Sequence, residues 1–428
     1  MPLPLPKSRK EIAALQSKRK VTALEQARRS PFFRGKLDHV NAAKLDDPEE
    51  WRKIPILDKD MLRALTDEQF YTDFCVKPEG GIAEYWRSGG STGKPLFYPR
   101  SHTDIRYGLL SFRRTLDIAG CQPGDSAHVS FPLGIHPVGQ IFARCAADAG
   151  VAVNWAGAGN STPSTIQLEL IRSLKPTVWM GMSSYGLHLA NLADSRGIDL
   201  AAGSVRKILC SAEPLSEAKR AKIGRSWGAS VFDNFGMTEA GMMGGEDGGA
   251  GGFRIWTDMH YIEVLDPGTL GPVKEGEVGT LVVTPLWTNN ATPFLRWSAG
   301  DLVVYSEADD ASGPYAVFPK IRHTHRTTGF FKVSGVNVNH PEFEDLVFQN
   351  AHVNDFKCEL VTVSDREILR LSVELRRGAN AQAVLSELVQ GVKDAFEVTP
   401  ELVLLETGTL AKEFESSVKA PRFTDSRK

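Results

Sequence analysis

The chain has 428 residues, 42% hydrophobic and 24% charged, with 50 Lys and Arg against 52 Asp and Glu and a formal net charge of -2. This is the balance of a folded globular protein long enough for one large unit and a smaller one; it excludes a largely disordered polymer and a basic field that would gather nucleic acid. Five cysteines, at 75, 121, 145, 210 and 358, are odd in number and scattered, so neither a disulfide framework nor a Cys-x-x-Cys metal site is expected. No stretch reaches the roughly 18 apolar residues of a membrane span. The expectation is a soluble, cytoplasmic protein with reduced thiols, and with neither nucleic acid nor membrane as partner.

From Arg9 to Arg29 apolar residues recur at helical spacing, ending at Ser30-Pro31. Residues 31 to 86 read as short helices and turns, among them Asp58 to Leu65, covering one side of a large domain. Helical spacing returns over His102 to Ala119, Val138 to Ala149, Ser164 to Ser173, Ser183 to Ser195 and Ser216 to Trp227. Strand-like runs alternate with these at Ser126 to Phe131, Val151 to Trp155, Thr177 to Met180, Lys207 to Leu209 and Ser230 to Asp233, which predicts a layered α/β architecture. Met242 to Gly252 is glycine-rich with two acids, and reads equally as a mobile active-site loop or a disordered bridge. Tyr261 to Leu265, Gly279 to Pro285 and Phe294 to Trp297 predict a β-rich subdomain. From about Phe330 a second organisation begins: a hairpin of Lys357 to Val363 and Ile368 to Leu375, a helix from Ala381 to Phe396 and a strand from Leu402 to Leu405. The fold class is therefore α/β, a large N-terminal domain with a small α+β C-terminal domain.

The stretch Arg87 to Pro95, R-S-G-G-S-T-G-K-P, packs three glycines, three hydroxyls and a lysine into a turn. Glycines let backbone amides close on a polyanion, and Ser88, Ser91, Thr92 and Lys94 can donate to phosphate oxygens, while Gly89, Gly90 and Gly93 keep the approach open. Its spacing is neither the Walker pattern nor the dinucleotide G-x-G-x-x-G, and alone it also reads as an exposed turn. Asn234-Phe235-Gly236-Met237-Thr238-Glu239 follows a strand and turns on a glycine, setting an aromatic face beside a hydroxyl and a carboxylate. A purine can stack on Phe235 while Thr238 and Glu239 hold a phosphate-bound Mg2+; the plainer reading is a capped turn with a solvated acid. Asp301 ends Arg296-Trp297-Ser298-Ala299-Gly300-Asp301, where it can meet two ribose hydroxyls or serve as a turn residue. Arg326 to Gly335, with Lys332, is basic and small, and Lys419 sits in Lys-Ala-Pro-Arg-Phe-Thr-Asp near the C-terminus.

The order of these motifs resembles the adenylate-forming superfamily of acyl-CoA synthetases, luciferases and adenylation domains, and within it the phenylacetate-CoA ligase branch. Ser88 to Pro95 is similar to the family's S-S-G-T-T-G-K-P loop, Ser211-Ala212-Glu213-Pro214 to its G-A-E-P segment at the adenine, and Phe235 to Glu239 to its Y-G-x-T-E. Asp301 resembles its ribose-binding aspartate, Lys332 to Val338 the branch's K-x-R-G-V-N-V with Gly335 in register, and Lys419 to Arg427 the terminal K-A-x-R...D-x-R that carries the adenylation lysine. Ser30-Pro31-Phe32-Phe33 is similar to the branch's S-P-F-Y. The likeness spans nearly the whole length. It departs at the hinge, His325 to Gly329, which has no acid, at Ser334 in place of arginine, and at Val418 in place of glycine before the lysine.

The resemblance implies an ATP-dependent acid:CoA ligase that uses ATP, Mg2+ and coenzyme A, with 1–325 as the ATP- and acid-binding domain, 326–329 as hinge and 330–428 as a mobile domain. It implies Lys419, Thr238 and Glu239 as catalytic, the last two also serving Mg2+. ATP would meet Ser88 to Lys94, Ala212, Glu213, Pro214, Asn234 to Met237, Asp301 and Arg326, with Lys332 and Gly335 on the moving part. The acyl pocket would be lined by Phe131, His136, Tyr185 and Gly236, whose aromatic character favours an aryl or arylacetic acid. His136 is either a contact for a polar ring substituent or a pocket-wall histidine. His323-x-His325 is two ligands without a third, which reads as solvated histidines and not zinc. Branch likeness further implies a homodimer and a role in aromatic acid catabolism. Two other readings stand beside it: delivery of the acyl group to a carrier protein or an amine, and a nucleotide-binding regulator without catalysis.

Overall fold

A computed structural model describes residues 3–87, 96–248, 251–307, 313–326, 330–333, 336–363, 366–416 and 421–427; at 325, 326, 330, 366, 414 and 416 only the backbone is described. The chain divides into two units, 1–122 with 134–149 and 232–327, and 123–133 with 150–231 and 328–428.

In the first unit the helix Arg9–Arg28 begins where the Ser8 hydroxyl accepts the Glu11 N–H at 3.2 Å, which satisfies one of the free donors of the first turn. Its buried Leu24 and Ala27 enter a core with Phe33, Trp51, Ile54, Phe70, Phe74, Phe294 and Trp297, so the segment before residue 86 packs over a sheet. That sheet runs antiparallel through His260–Leu265, Val278–Pro285, Trp297–Ser306, Lys320–Arg326, Phe253–Ile255, Gly241–Gly245 and on to Ser230–Met237. Phe294 to Arg296 lie before the third strand, which starts at Trp297, and Arg296 has a left-handed φ of 46°. Ile82–Arg87 and Phe97–Ser101 form a hairpin whose last pair is Arg87 with Phe97, directly flanking the glycine loop. The helix His102–Ile118 follows, opened by a capping box of Ser101 and Asp104.

The glycine-rich stretch is not a loop over Gly241–Gly245: it is a fully buried strand between Ser230–Met237 and Phe253–Ile255. A Cβ at Gly244 would lie 2.2 Å from the Arg254 carbonyl oxygen and one at Gly245 2.7 Å from Asn234 Oδ1, so glycine here permits close strand approach. Its two acids are also engaged. Glu246 accepts the Asp233 N–H at 2.7 Å, and Asp247 pairs with Arg254 at 2.8 Å. Residues 249–250 of that stretch lie outside the described residues.

The second unit holds a parallel sheet in the order Lys207–Ser211, Val178–Gly181, Ser126–Val129, Ala152–Trp155. The helices Ser164–Leu174, Ser183–Ser195 and Glu217–Trp227 alternate with its strands. Buried Trp179 meets Trp227 at 5.5 Å between rings, and Gly181 leaves room for the Trp179 ring. In the same unit Val353–Val363 and Arg366–Leu375 pair as the expected hairpin, extended by parallel Glu401–Leu405 and Phe423–Asp425. Val384, Leu388, Val392 and Phe396, four residues apart, are the buried face of helix Ala381–Phe396. The helix His340–Gln349 was not anticipated; it packs on Glu217–Trp227 through Lys219 Nζ to Glu344 at 3.1 Å and Ala218 N to Asp345 Oδ1 at 2.9 Å. Lys222 adds a bond to the Asn354 carbonyl at 2.6 Å. Among the described residues no helix is long and apolar enough to cross a membrane.

Candidate active site

In the first unit, Asn234 to Met237 end a strand, and Thr238 and Glu239 lie in the turn to Gly241–Gly245. A Cβ at Gly236 would stand 2.6 Å from the Gly241 carbonyl oxygen, so the tight return of the chain requires glycine there. The turn is fixed from beneath by Arg100, a residue no motif pointed to. Its buried guanidinium donates to the carbonyls of Thr238 and Glu239, the latter at 2.9 Å, and to Thr288 O at 2.9 Å and Thr292 Oγ1 at 3.2 Å. The Trp86 ring lies 4.9 Å from it. Burial pulls the pKa of Arg100 down, against the pull of Asp104 and Glu239, yet an arginine keeps its charge. The Glu239 carboxylate is buried and accepts the Tyr98 hydroxyl at Oε1, 3.1 Å. Tyr98 and Arg100 stand two apart on the strand that follows the glycine loop; period-two alternation there is the signal that could have found them.

Phe235 is half-buried, stacked on Phe253 at 5.5 Å and 5.8 Å from the His323 ring. His323 is not simply solvated: its Nε2 meets Asp301 Oδ1 at 3.1 Å, and Asp301 is buried. Asp301 pairs with Arg326 across the strands, and the Arg326 side chain lies outside the described residues. His136, just before helix Pro137–Asp148, sits 3.2 Å from Arg87 Nη1; as arginine can only donate, Nε2 is the acceptor and the ring is neutral. Among the described residues no group of three His, Cys, Asp or Glu could hold a metal ion alone. A single enclosed glutamate beside a threonine does fit Mg2+ that brings most of its oxygen ligands on phosphates.

In the second unit Ala212 leaves its strand with φ 74°, a strained value for a residue with a Cβ. Glu213 then turns back to the start of helix Ser183–Ser195: Ser183 Oγ donates at 2.6 Å, Ser184 Oγ at 2.8 Å, and the Ser184 N–H also donates. Burial works to raise the pKa of this carboxyl, but Lys219, the bonds from Ser183 and Ser184, and Arg422 outweigh it, so Glu213 is held below the ordinary range. Pro214 is exposed, and its carbonyl accepts from Lys219 Nζ at 3.1 Å. Phe131 and Tyr185 are buried; the Tyr185 hydroxyl bonds Ser164 Oγ at 2.9 Å, and burial pushes its pKa up. Lys332 is exposed on the strand Phe330–Val333, and its carbonyl accepts from Arg427 at 3.0 Å. Arg427 also grips Asp425 and Glu367, so two residues of the terminal motif tie the C-terminal strand to the hairpin. Ser88 to Pro95, Gly335 and Lys419 lie outside the described residues.

A sequence profile of the family described as AMP-binding enzyme matches residues 55–286. The chain is 28% identical to the phenylacetate-coenzyme A ligase of Escherichia coli (strain K12), over 97% of this chain and 95% of the relative. It is 28% identical to that of Pseudomonas putida, over 85% of this chain and 82% of the relative. Among solved structures, a 2-hydroxyisobutyryl-CoA ligase in the postadenylation state, with R3-HIB-AMP, superposes with a TM-score of 0.83 at 22% identity, covering 96% of this chain and 88% of that one.

Proposed function

Since the chain belongs to the AMP-binding enzymes, we propose that it is an ATP-dependent acid:CoA ligase that adenylates an aromatic carboxylic acid and transfers the acyl group to coenzyme A, releasing AMP and pyrophosphate. The observation that carries this reading is the likeness to phenylacetate-CoA ligases along nearly the whole length of both chains.

A carboxylate resists nucleophiles because it is anionic and would have to expel oxide. Its oxygen attacks the α-phosphorus of ATP, the bond to the bridging oxygen breaks, and pyrophosphate leaves; the thiolate of CoA then attacks the acyl carbon and AMP departs with the carboxylate's oxygen. Catalysis of the first step consists of charge placement. In this proposal Lys419 meets the charge developing between carboxylate and α-phosphate, and Ser88 to Lys94 gather the departing pyrophosphate. Arg100 fixes the carbonyls of Thr238 and Glu239, so that their side chains face the phosphates from a rigid turn. Glu239 and Thr238 would hold the Mg2+ that accompanies ATP, which would neutralise phosphate charge. Ala212 to Pro214 and Phe235 border the adenine, and Asp301, oriented by His323, takes the ribose hydroxyls. Phe131, His136, Tyr185 and Gly236 border the acid. The segment 330–428, with Lys332 and Gly335, moves about 326–329 between the two steps.

All five cysteines are buried and outside disulfides, and burial pushes Cys75 up to about 12, so in this proposal the sulfur comes from CoA. Thiols outside disulfides fit a reducing compartment, and cytoplasmic location belongs to the proposal.

Mass spectrometry of the purified chain with ATP, Mg2+ and a pool of aryl and arylacetic acids, with and without CoA, tests this. Acyl-CoA that forms only with CoA, and that Lys419→Ala abolishes, is the expected result. Acyl-adenylate never passed to CoA would instead assign a carrier or amine acceptor, and intact ATP binding without turnover would remove the enzymatic reading.

A further inference from the structure

The helix Ser164–Leu174 has no side-chain cap of its own: it starts after Pro163, whose carbonyl accepts the Ile166 and Gln167 N–H, and the Ser164 N–H takes its acceptor from the far end of the sequence. Glu415, on the short helix Ala411–Ser416, accepts the Ser164 N–H with Oε1 at 3.2 Å and Oε2 at 3.4 Å. The Ser164 hydroxyl bonds Tyr185 and His188, and His188 Nε2 is 4.0 Å from the same carboxylate. A carboxylate at a helix N-terminus meets both the free donors and the positive end of the dipole.

The position of Glu415 gives this contact a consequence. Lys419 follows four residues later, and four residues of chain span at most about 14 Å, so the docking of Glu415 limits where the lysine can reach. Three residues beyond Lys419 the chain is anchored again. Arg422 donates to Asp355 at 2.9 Å, and Phe423–Asp425 joins the strand Val353–Val363. The second anchor belongs to the 330–428 segment itself. Glu415 is the contact that ties the lysine's near flank to helix Ser164–Leu174, in the 150–231 part of the unit. The preceding turn is also held within 330–428, by Glu374 accepting the Gly408 and Leu410 amides and by Lys357 pairing with Glu413 at 3.0 Å.

We propose that Glu415 is a positioning residue for adenylation, its carboxylate docked on the start of helix Ser164–Leu174 and tethering there the chain that leads to Lys419. The proposal rests on Lys419 being the adenylation lysine.

The test measures the two half-reactions separately in Glu415→Ala and Glu415→Gln. ATP–pyrophosphate exchange should fall about 10-fold in kcat for the alanine variant, equivalent to about 1.4 kcal/mol, with KM for ATP and acid within two-fold. Transfer from synthetic acyl-adenylate to CoA should stay within two-fold of the parent, and glutamine, whose amide oxygen still accepts the Ser164 N–H, should recover part of the exchange. Equal loss in both halves, or loss in neither, overturns the proposal. Hydrogen–deuterium exchange gives a readout independent of turnover: the Ser164 amide should exchange faster in Glu415→Ala, and unchanged protection means that the carboxylate is not docked. Lys419→Ala with undiminished exchange would remove the lysine's role while leaving the docking result standing.

Discussion

Replacing Glu213 with alanine removes the contact that holds the Ala212 to Pro214 segment to the start of helix Ser183–Ser195. Three donors lose their acceptor: the hydroxyls of Ser183 and Ser184 and the Ser184 N–H. The hydroxyls can rotate to new partners, but the backbone amide cannot, and one buried unsatisfied donor costs about 1–3 kcal/mol. Lys219 and Arg422, whose charges help to hold the Glu213 carboxylate ionised, lose that attraction as well. Glu213 is half-buried, and Lys219 keeps Glu344 while Arg422 keeps Asp355, so about 2 kcal/mol in all is expected. Glu213→Gln should cost about 1 kcal/mol, because its carbonyl oxygen can serve the Ser184 amide while its nitrogen donates to the Ser184 hydroxyl. Urea titration followed by the fluorescence of buried Trp179 and Trp227 reports on the same unit. An alanine variant destabilised by less than 1 kcal/mol, or a glutamine variant as unstable as the alanine one, would refute the reasoning.

Burial lowers His128 and His188 to about 4, the former against its bond to Gln167 Oε1 and the latter against Asp355 and Glu415. The unfolded chain protonates them near pH 6.5, so their stabilising contribution is complete above about 6.5 and is lost as pH falls towards 4, about 3 kcal/mol for each; the urea midpoint should drop through that window, less steeply in His128→Asn. Arg100→Lys should lower adenylation at least 10-fold and raise KM for ATP, since one ammonium cannot serve the four acceptors the guanidinium reaches; unchanged kinetics would free the turn from Arg100. Gly244→Ala puts a Cβ 2.2 Å from a backbone oxygen and should cost about 3 kcal/mol or block folding, as read by urea midpoint and soluble yield.

The helices were legible where period and stop signals agree: Ser183–Ser195 and Ala381–Phe396 lie where spacing places them. So was the family, because its short motifs restrict residue type over a few consecutive positions. What sequence hid is long-range. Gly241–Gly245 has the composition of a loop, and only the strand at Arg254 reveals why side chains are excluded. Arg100 lies 138 residues from the first carbonyl it holds, and Glu415 251 residues from the helix it caps, separations across which no local pattern exists. His323 read as solvated because its partner Asp301 is on another strand. Lys219 and Lys222 look like an ordinary solvated helix face until Glu344 and Asn354 cover them.

The central claim is that the acid's own oxygen forms a bond to the α-phosphate of ATP. A substrate acid labelled with 18O in its carboxylate, turned over with ATP, Mg2+ and CoA, tests this directly when AMP and the phosphate products are weighed by mass spectrometry. The account predicts one 18O in AMP, none in pyrophosphate, and the other retained in the acyl-CoA. Label in inorganic phosphate, with ADP as the nucleotide product, would mean an acyl phosphate and contradict it.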